Sequence, residues 1–142
     1  DTLQKNTIST FGGNPVSSAA ANATLEIIER DELKANANEM GEILKDGLKK
    51  IQSDHREVIG EVRGKGLMVG LELVVDETKK DRTPNPDAVD RLMEETKDRG
   101  LLIGRGGLYG NCVRISPSLN IGRSEIDEAL SILASSFRSI DQ

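Results

Sequence analysis

Residues 58–75 read VIGEVRGKGLMVGLELVV, and this stretch decides the fold. It is rich in branched apolar residues and its period is two. Leu67, Val69, Leu71 and Leu73 fall on one face, as a half-buried strand requires. Gly64-Lys65-Gly66 interrupts the run as a turn signal. The stretch therefore predicts two strands, 58–62 and 67–75, joined as a hairpin.

Upstream the period lengthens. Leu33, Ala37, Met40, Leu44, Leu48 and Ile51 recur every three or four residues, which predicts a helix over about 32–51. Before it, Asn14-Pro15 makes a helix start: Asn is a good cap, and Pro suits the first turn because its missing N–H has no partner there anyway. The alanine-rich run 18–29 continues that helix, and its small residues suit close packing against another element. Downstream, 76–86 is polar, contains two prolines and reads as a surface loop. A helix over about 87–99 turns Val89, Leu92, Met93 and Thr96 inward and stops at Gly100. Leu101-Leu102-Ile103 reads as a short buried strand. The glycine-rich segment 104–110 links it to a strand at 112–116. Ser124 caps a final helix with Ile126, Leu130, Leu133, Phe137 and Ile140 on its apolar face. The predicted fold class is α+β, a small, mainly antiparallel sheet with helices packed on it. The expected division is an irregular segment 1–13, a helical segment 14–52 and an α+β domain 53–142.

Composition narrows the function classes. The net charge of −5, with basic residues dispersed among acids, argues against nucleic acid. One cysteine, Cys112, excludes an internal disulfide, and one Cys with one His makes no metal centre without a carboxylate cluster of suitable spacing. No apolar run approaches the roughly 20 residues of a membrane span. The chain opens on Asp1 with a polar, irregular segment and no visible targeting sequence, which reads as a cut inside a longer chain.

Three places carry candidate chemistry. In Thr10-Phe11-Gly12-Gly13-Asn14-Pro15, a hydroxyl and two glycines precede a helix start, where backbone N–H groups attract anions. A phosphate contact and a plain turn with its cap are both open, and spacing alone favours the turn. Arg114, within Val113-Arg114-Ile115-Ser116-Pro117, points away from the core side of its strand. It suits two parallel hydrogen bonds to a carboxylate, or an ordinary ion pair. Arg63 with Gly64-Lys65-Gly66 is a basic turn, read chiefly as a hairpin connection. His55 ends a polar helix with no partner indicated for acid–base work. Cys112 reads as a small packed residue.

Four blocks together resemble the C-terminal portion of class III pyridoxal-phosphate-dependent aminotransferases, most closely the alanine–glyoxylate aminotransferase 2 group. They are Thr10 to Pro15, then Gly60-Glu61-Val62-Arg63-Gly64-Lys65-Gly66-Leu67-Met68-Val69-Gly70, then Gly100-Leu101-Leu102-Ile103-Gly104, then Arg114-Ile115-Ser116-Pro117. The resemblance implies the C-terminal domain of a fold type I homodimer whose cofactor, pyridoxal phosphate, lies at the subunit interface. Thr10 would reach the cofactor phosphate of the neighbouring subunit. Arg114 would hold the carboxylate of the amino acid or keto acid. The turn at Arg63 to Gly66 would be structural. The reaction implied moves an amino group from an amino acid such as alanine to a keto acid such as glyoxylate or pyruvate. Another class III aminotransferase, acting on ornithine, 4-aminobutyrate or another ω-amine, is an alternative; so is a non-enzymatic module that binds an anion or a protein. The family's Schiff-base lysine precedes the Thr10 block by more residues than stand before it here, and Lys5 is too close to serve. No catalytic residue is therefore assigned, the chain alone is expected to be inactive, and the missing N-terminal part of the same enzyme is its expected partner. The resemblance implies a mitochondrial location in a eukaryote and a cytoplasmic one otherwise.

Overall fold

The computed structural model describes residues 8–140. Lys5 lies outside them. The chain divides into two compact units, Asp1–Lys34 and Ala35–Gln142.

The first unit contains helix α1, Pro15–Arg30. Asn14 caps it: its side-chain oxygen accepts from the Ser17 amide at 3.0 Å, and its Nδ2 donates to the Phe11 carbonyl at 2.7 Å. Pro15 occupies the first turn, as its fixed φ favours. No residue of α1 is buried, so its alanines pack against none of the described residues closely enough to leave the surface.

The second unit holds the sheet. Helix α2, Leu33–Asp54, enters it and buries Met40, Leu44, Leu48 and Ile51, the stripe the sequence marks. Strands β1, Ile59–Lys65, and β2, Met68–Asp76, form the hairpin. Its turn lies at Gly66-Leu67, because Lys65 pairs with Met68. That is one register further on than the glycine signal suggests. Gly66 has φ +54 and Leu67 is not in the positive-φ region, the pattern of a type II′ turn, which needs glycine at its first central position. Leu67 is thus a turn residue, yet buried with Val69, Leu71 and Leu73.

After β2 a single 3₁₀ turn, Glu77–Lys79, leads into β3, Asp81–Pro84. The expected surface loop therefore contains a strand, which pairs with the end of β2 through Val74↔Pro84 and Asp76↔Asp81. Polar residues pair here because β2 extends past its other neighbours and leaves backbone groups to satisfy. Helix α3, Pro86–Asp98, is capped by Asn85 and buries Ala88, Val89, Leu92 and Thr96. It ends as the sequence predicts. Gly100, at φ +88, donates to the Lys97 carbonyl at 2.9 Å, and Leu101 donates to Thr96 at 2.8 Å, the paired bonds of a Schellman stop.

Leu101-Leu102-Ile103 is not a strand, and Leu102 is 82% exposed. The strand starts later: β4, Gly104–Gly106, pairs with β5, Cys112–Ile115. Extending that register backwards sets Leu101 opposite Pro117, which has no N–H to give, and the Leu101 amide is already spent on the helix stop. The pairing order is β1-β2-β5-β4 with β3 on β2, and every pairing is antiparallel. Helix α4, Arg123–Ile140, closes the unit. Its cap is not Ser124. The Glu125 carboxylate accepts from the Gly122 amide at 2.8 Å, half of a capping box set two residues earlier.

The core lies on one face of the sheet, where Val69, Leu71, Leu73 and Val113 meet Leu44 and Leu48 of α2, Leu92 of α3, and Ile126, Leu133 and Phe137 of α4. His55 does stand at the end of α2, but its side chain turns into this packing: it is 7% exposed, and its ring lies tilted against Phe137 at 5.5 Å.

Candidate functional site

The other face of the sheet is open, and strand alternation decides what stands on it. Val113 is buried, so Arg114 beside it faces outward. The register sets Arg114 between Gly70 on β2 and Gly104 on β4. One strand further out, Arg63 pairs with Gly70. A row thus crosses the sheet as Arg63, Gly70, Arg114, Gly104, with two arginines and two glycines.

The two arginines stand in different electrostatic settings. Arg63 bonds Glu61 at 2.8 Å and Glu72 at 3.2 Å through Nη1, and its Nη2 donates to the Cys112 sulfur at 3.3 Å. This side chain is neutralised in place. Among the described residues, Arg114 has neither an ion-pair partner nor a side-chain hydrogen bond. Cys112 is half-buried as expected of a packed residue, but it contacts a guanidinium that sequence neighbours do not reveal.

Two hollows flank Arg114. One, of about 460 Å³, lies between the 100–104 segment and α4, with Leu101, Ile103, Ile126 and Leu133 in its wall and Glu125 and Glu128 among its polar residues. The other, of about 390 Å³, lies over the glycines and includes Arg63, Gly70, Gly106 and Cys112. Arg114 belongs to both linings.

Several supporting residues escape a reading by sequence motif. Asn111 is buried; its Nδ2 donates to the Leu73 carbonyl at 3.0 Å while its own carbonyl accepts from the Leu73 amide at 2.8 Å. This clamp sets the start of β5. Arg105 bonds Asp90 at 2.6 Å and the Gly110 carbonyl at 3.1 Å, closing the glycine loop. Asn36 of α2 donates to the carbonyls of Leu119 and Ile121 at 2.7 and 3.1 Å, holding the segment that follows Ser116-Pro117. Asn is an ordinary loop and cap residue, so neither position carries a local signal of its role; both contacts span more than 30 residues of sequence.

Thr10 stands in the first unit, in the turn where the Gly12 amide donates to the Ser9 carbonyl at 3.2 Å. Its hydroxyl has no hydrogen-bond partner among the described residues, and a Cβ added to Gly13 would meet nothing within 4 Å. An exposed hydroxyl in an open turn next to a helix start can donate to an anionic oxygen such as that of a phosphate. Among the described residues no cluster of His, Cys, Asp and Glu suits a metal ion, and no helix is long and apolar enough to cross a membrane.

A family profile described as Aminotransferase class-III matches residues 3–137. Alanine–glyoxylate aminotransferase 2 homolog 2, mitochondrial, of Arabidopsis thaliana is 44% identical over 118 residues, covering 83% of this chain and 24% of the relative. An alanine/serine racemase of Pyrococcus horikoshii is 42% identical, with 87% of this chain and 25% of the relative covered. Among solved structures, a Bacillus anthracis aminotransferase superposes with a TM-score of 0.83 at 37% identity, covering 95% of this chain and 30% of that one. The chain therefore spans about a quarter of the length of the curated relatives it matches. With the α+β fold, the order of the motif blocks and a match over nearly the whole chain in agreement, the chain belongs to the class III aminotransferase family.

Proposed function

We propose that this chain supplies the substrate-carboxylate anchor and one cofactor-phosphate contact of an aminotransferase that moves an amino group from an amino acid such as alanine to a keto acid such as glyoxylate or pyruvate. The observation that carries the reading is Arg114: a strand-mounted guanidinium with no ion-pair partner among the described residues, set between two glycines. Arginine presents a planar fork of donors that matches a carboxylate through two parallel bonds. Mounting it on a paired strand fixes its root while the glycines leave its head room. Binding there orients the α-carboxylate and so sets which face of the substrate Cα is presented for reaction. Thr10 would hold a phosphate oxygen of pyridoxal phosphate with its hydroxyl, from the turn before α1, and within a homodimer would do so for the neighbouring subunit. When bound, that cofactor serves as the electron sink for the bonds at the substrate Cα. The lysine that such chemistry needs as base would come from outside the residues described.

The test is Arg114→Ala in the full-length enzyme. The KM for alanine and for the keto acid should rise sharply, by the equivalent of about 2–5 kcal/mol, while cofactor retention stays intact. Arg114→Lys should recover only part of the loss, because an ammonium cannot bond both carboxylate oxygens in one plane. An unchanged KM in Arg114→Ala would remove the assignment. A second reading, racemisation of an amino acid, is favoured by the similarity to an alanine/serine racemase. The same carboxylate anchor serves both reactions. Chiral analysis separates them: a transaminase makes keto acid beyond one equivalent per site only when an acceptor is present, whereas a racemase scrambles alanine without one.

A further inference from the structure

Resting on that reading of Arg114, we propose that Gly104 is a positioning residue for substrate carboxylate. Glycine at 104 leaves the guanidinium the place from which it receives its ligand, and any branched side chain there would close that place.

Glycine recurs around this site for two separate reasons. Gly100, Gly107 and Gly110 have φ between +68 and +88, a region L side chains avoid, so their backbone requires glycine. Gly104 is not among the positive-φ residues. Its backbone tolerates any residue, and strands favour β-branched ones. The reason for glycine at 104 must lie in what a side chain would meet. A Cβ added there would lie 3.4 Å from Arg114 Nε, 3.5 Å from Arg114 Nη2 and 3.5 Å from the Arg114 carbonyl. All three of its nearest neighbours thus belong to Arg114. On the opposite flank a Cβ at Gly70 would meet only the Val113 carbonyl, at 3.7 Å. The guanidinium therefore leans over β4, the edge strand, and away from β2.

The lean separates two arginines that share a row. Arg63 is held by Glu61 and Glu72, whereas Arg114 rests against glycine backbone with no acid among the described residues paired to it. A single Cβ at 104 would touch Arg114 at ordinary contact distance. The methyls of a valine would reach past that contact and push the guanidinium toward Gly70 and Arg63, a like charge. A displacement near 1 Å at an orienting group can cost about 100-fold in rate, so an effect of tenfold or more is expected.

The experiment uses the full-length enzyme with Gly104→Val, Gly104→Ala and, as control, Gly106→Val. Gly106 lies on the same strand and face but opposite Cys112, where an added Cβ meets nothing within 4 Å. Two quantities are read: the KM for alanine and the inhibition constant of propionate, a carboxylate with no amino group. Gly104→Val should raise both together by about tenfold or more, with kcat within about threefold and cofactor retention unchanged. Gly104→Ala and Gly106→Val should each move both the same way but by less than Gly104→Val. The inference is overturned by unchanged constants in Gly104→Val, by equal shifts at 104 and 106, or by a fall in kcat and thermal stability without a shift in either constant. If Arg114→Ala itself leaves the KM unchanged, the underlying reading fails first, and that outcome is distinguishable.

Discussion

At the scale of single residues, the glycines separate into those needed by their own backbone and those needed by a neighbour. Gly41 is of the second kind and is not part of the site's row. It sits inside α2, where glycine costs about 1 kcal/mol relative to alanine. A Cβ there would fall 2.3 Å from the carbonyl carbon and oxygen of Gly66, which are backbone atoms of the hairpin turn. Backbone cannot rotate aside as a side chain can. Gly41→Ala should therefore lower stability despite the gain in helix propensity, by about 1–3 kcal/mol net of relaxation. Thermal unfolding of the wild type and variant measures this; an unchanged or raised midpoint would show that helix and turn separate easily. Arg114 and Thr10 are the opposite type of residue, legible by kind and place but assignable to a role only through resemblance. Gly104 was legible only as part of a motif block, because its partner is ten residues away across a strand pair.

At the scale of elements, the 3₁₀ turn and β3 depend on one carboxylate. The Asp76 side chain pairs with the Lys79 ammonium at 2.7 Å, accepts from the Thr78 hydroxyl at 2.5 Å and caps the Lys79 amide at 3.2 Å. Lys79 first, and then Thr78, hold its pKa down to about 2, below the ordinary 3.8. A carboxyl depressed in the folded state contributes stability above its unfolded value and loses it as pH falls toward its folded value. The contribution of this turn should therefore be full above about pH 4 and fade between about pH 4 and 2. Protection of the Lys79 amide against hydrogen exchange, relative to its intrinsic rate at each pH, should fall in that window in the wild type and be low throughout in Asp76→Ala. An amide equally protected at pH 2 and pH 6 would contradict the assignment. The remaining elements follow local rules. α3 starts on Asn85-Pro86 and stops on Gly100 because capping chemistry is written within five residues of each end. β3 and β4 escaped the same reading because polar and glycine strands exist only where a neighbouring strand offers unpaired backbone groups.

At the scale of the whole molecule, the hydrophobic cluster draws on residues between Ala37 and Ile140, within the second unit. The sheet has one covered and one open face, and the proposed carboxylate anchor stands on the open one. In the proposed division of labour the chain supplies two contacts for small anions, and the lysine base comes from elsewhere in the enzyme. Mixed with pyridoxal phosphate, alanine and glyoxylate, the isolated chain should release no pyruvate above background, whereas the full-length enzyme should. Steady turnover by the isolated chain would refute this division of labour.

The amino-acid sequence by itself determined the helices, the hairpin, the inward faces, the α+β class and, through four ordered blocks, the family. These are short-range properties: a period, a cap or a turn is specified by residues within a few positions of one another. Only the tertiary structure decided that His55 packs in the core, that Asn111 clamps β5 to β2, that a polar loop becomes β3, and that Arg63 is spent on acids while Arg114 is left against glycine. Each of these is set by strand register or helix packing, across spans from a few residues to more than eighty, and no local pattern encodes which partner will arrive.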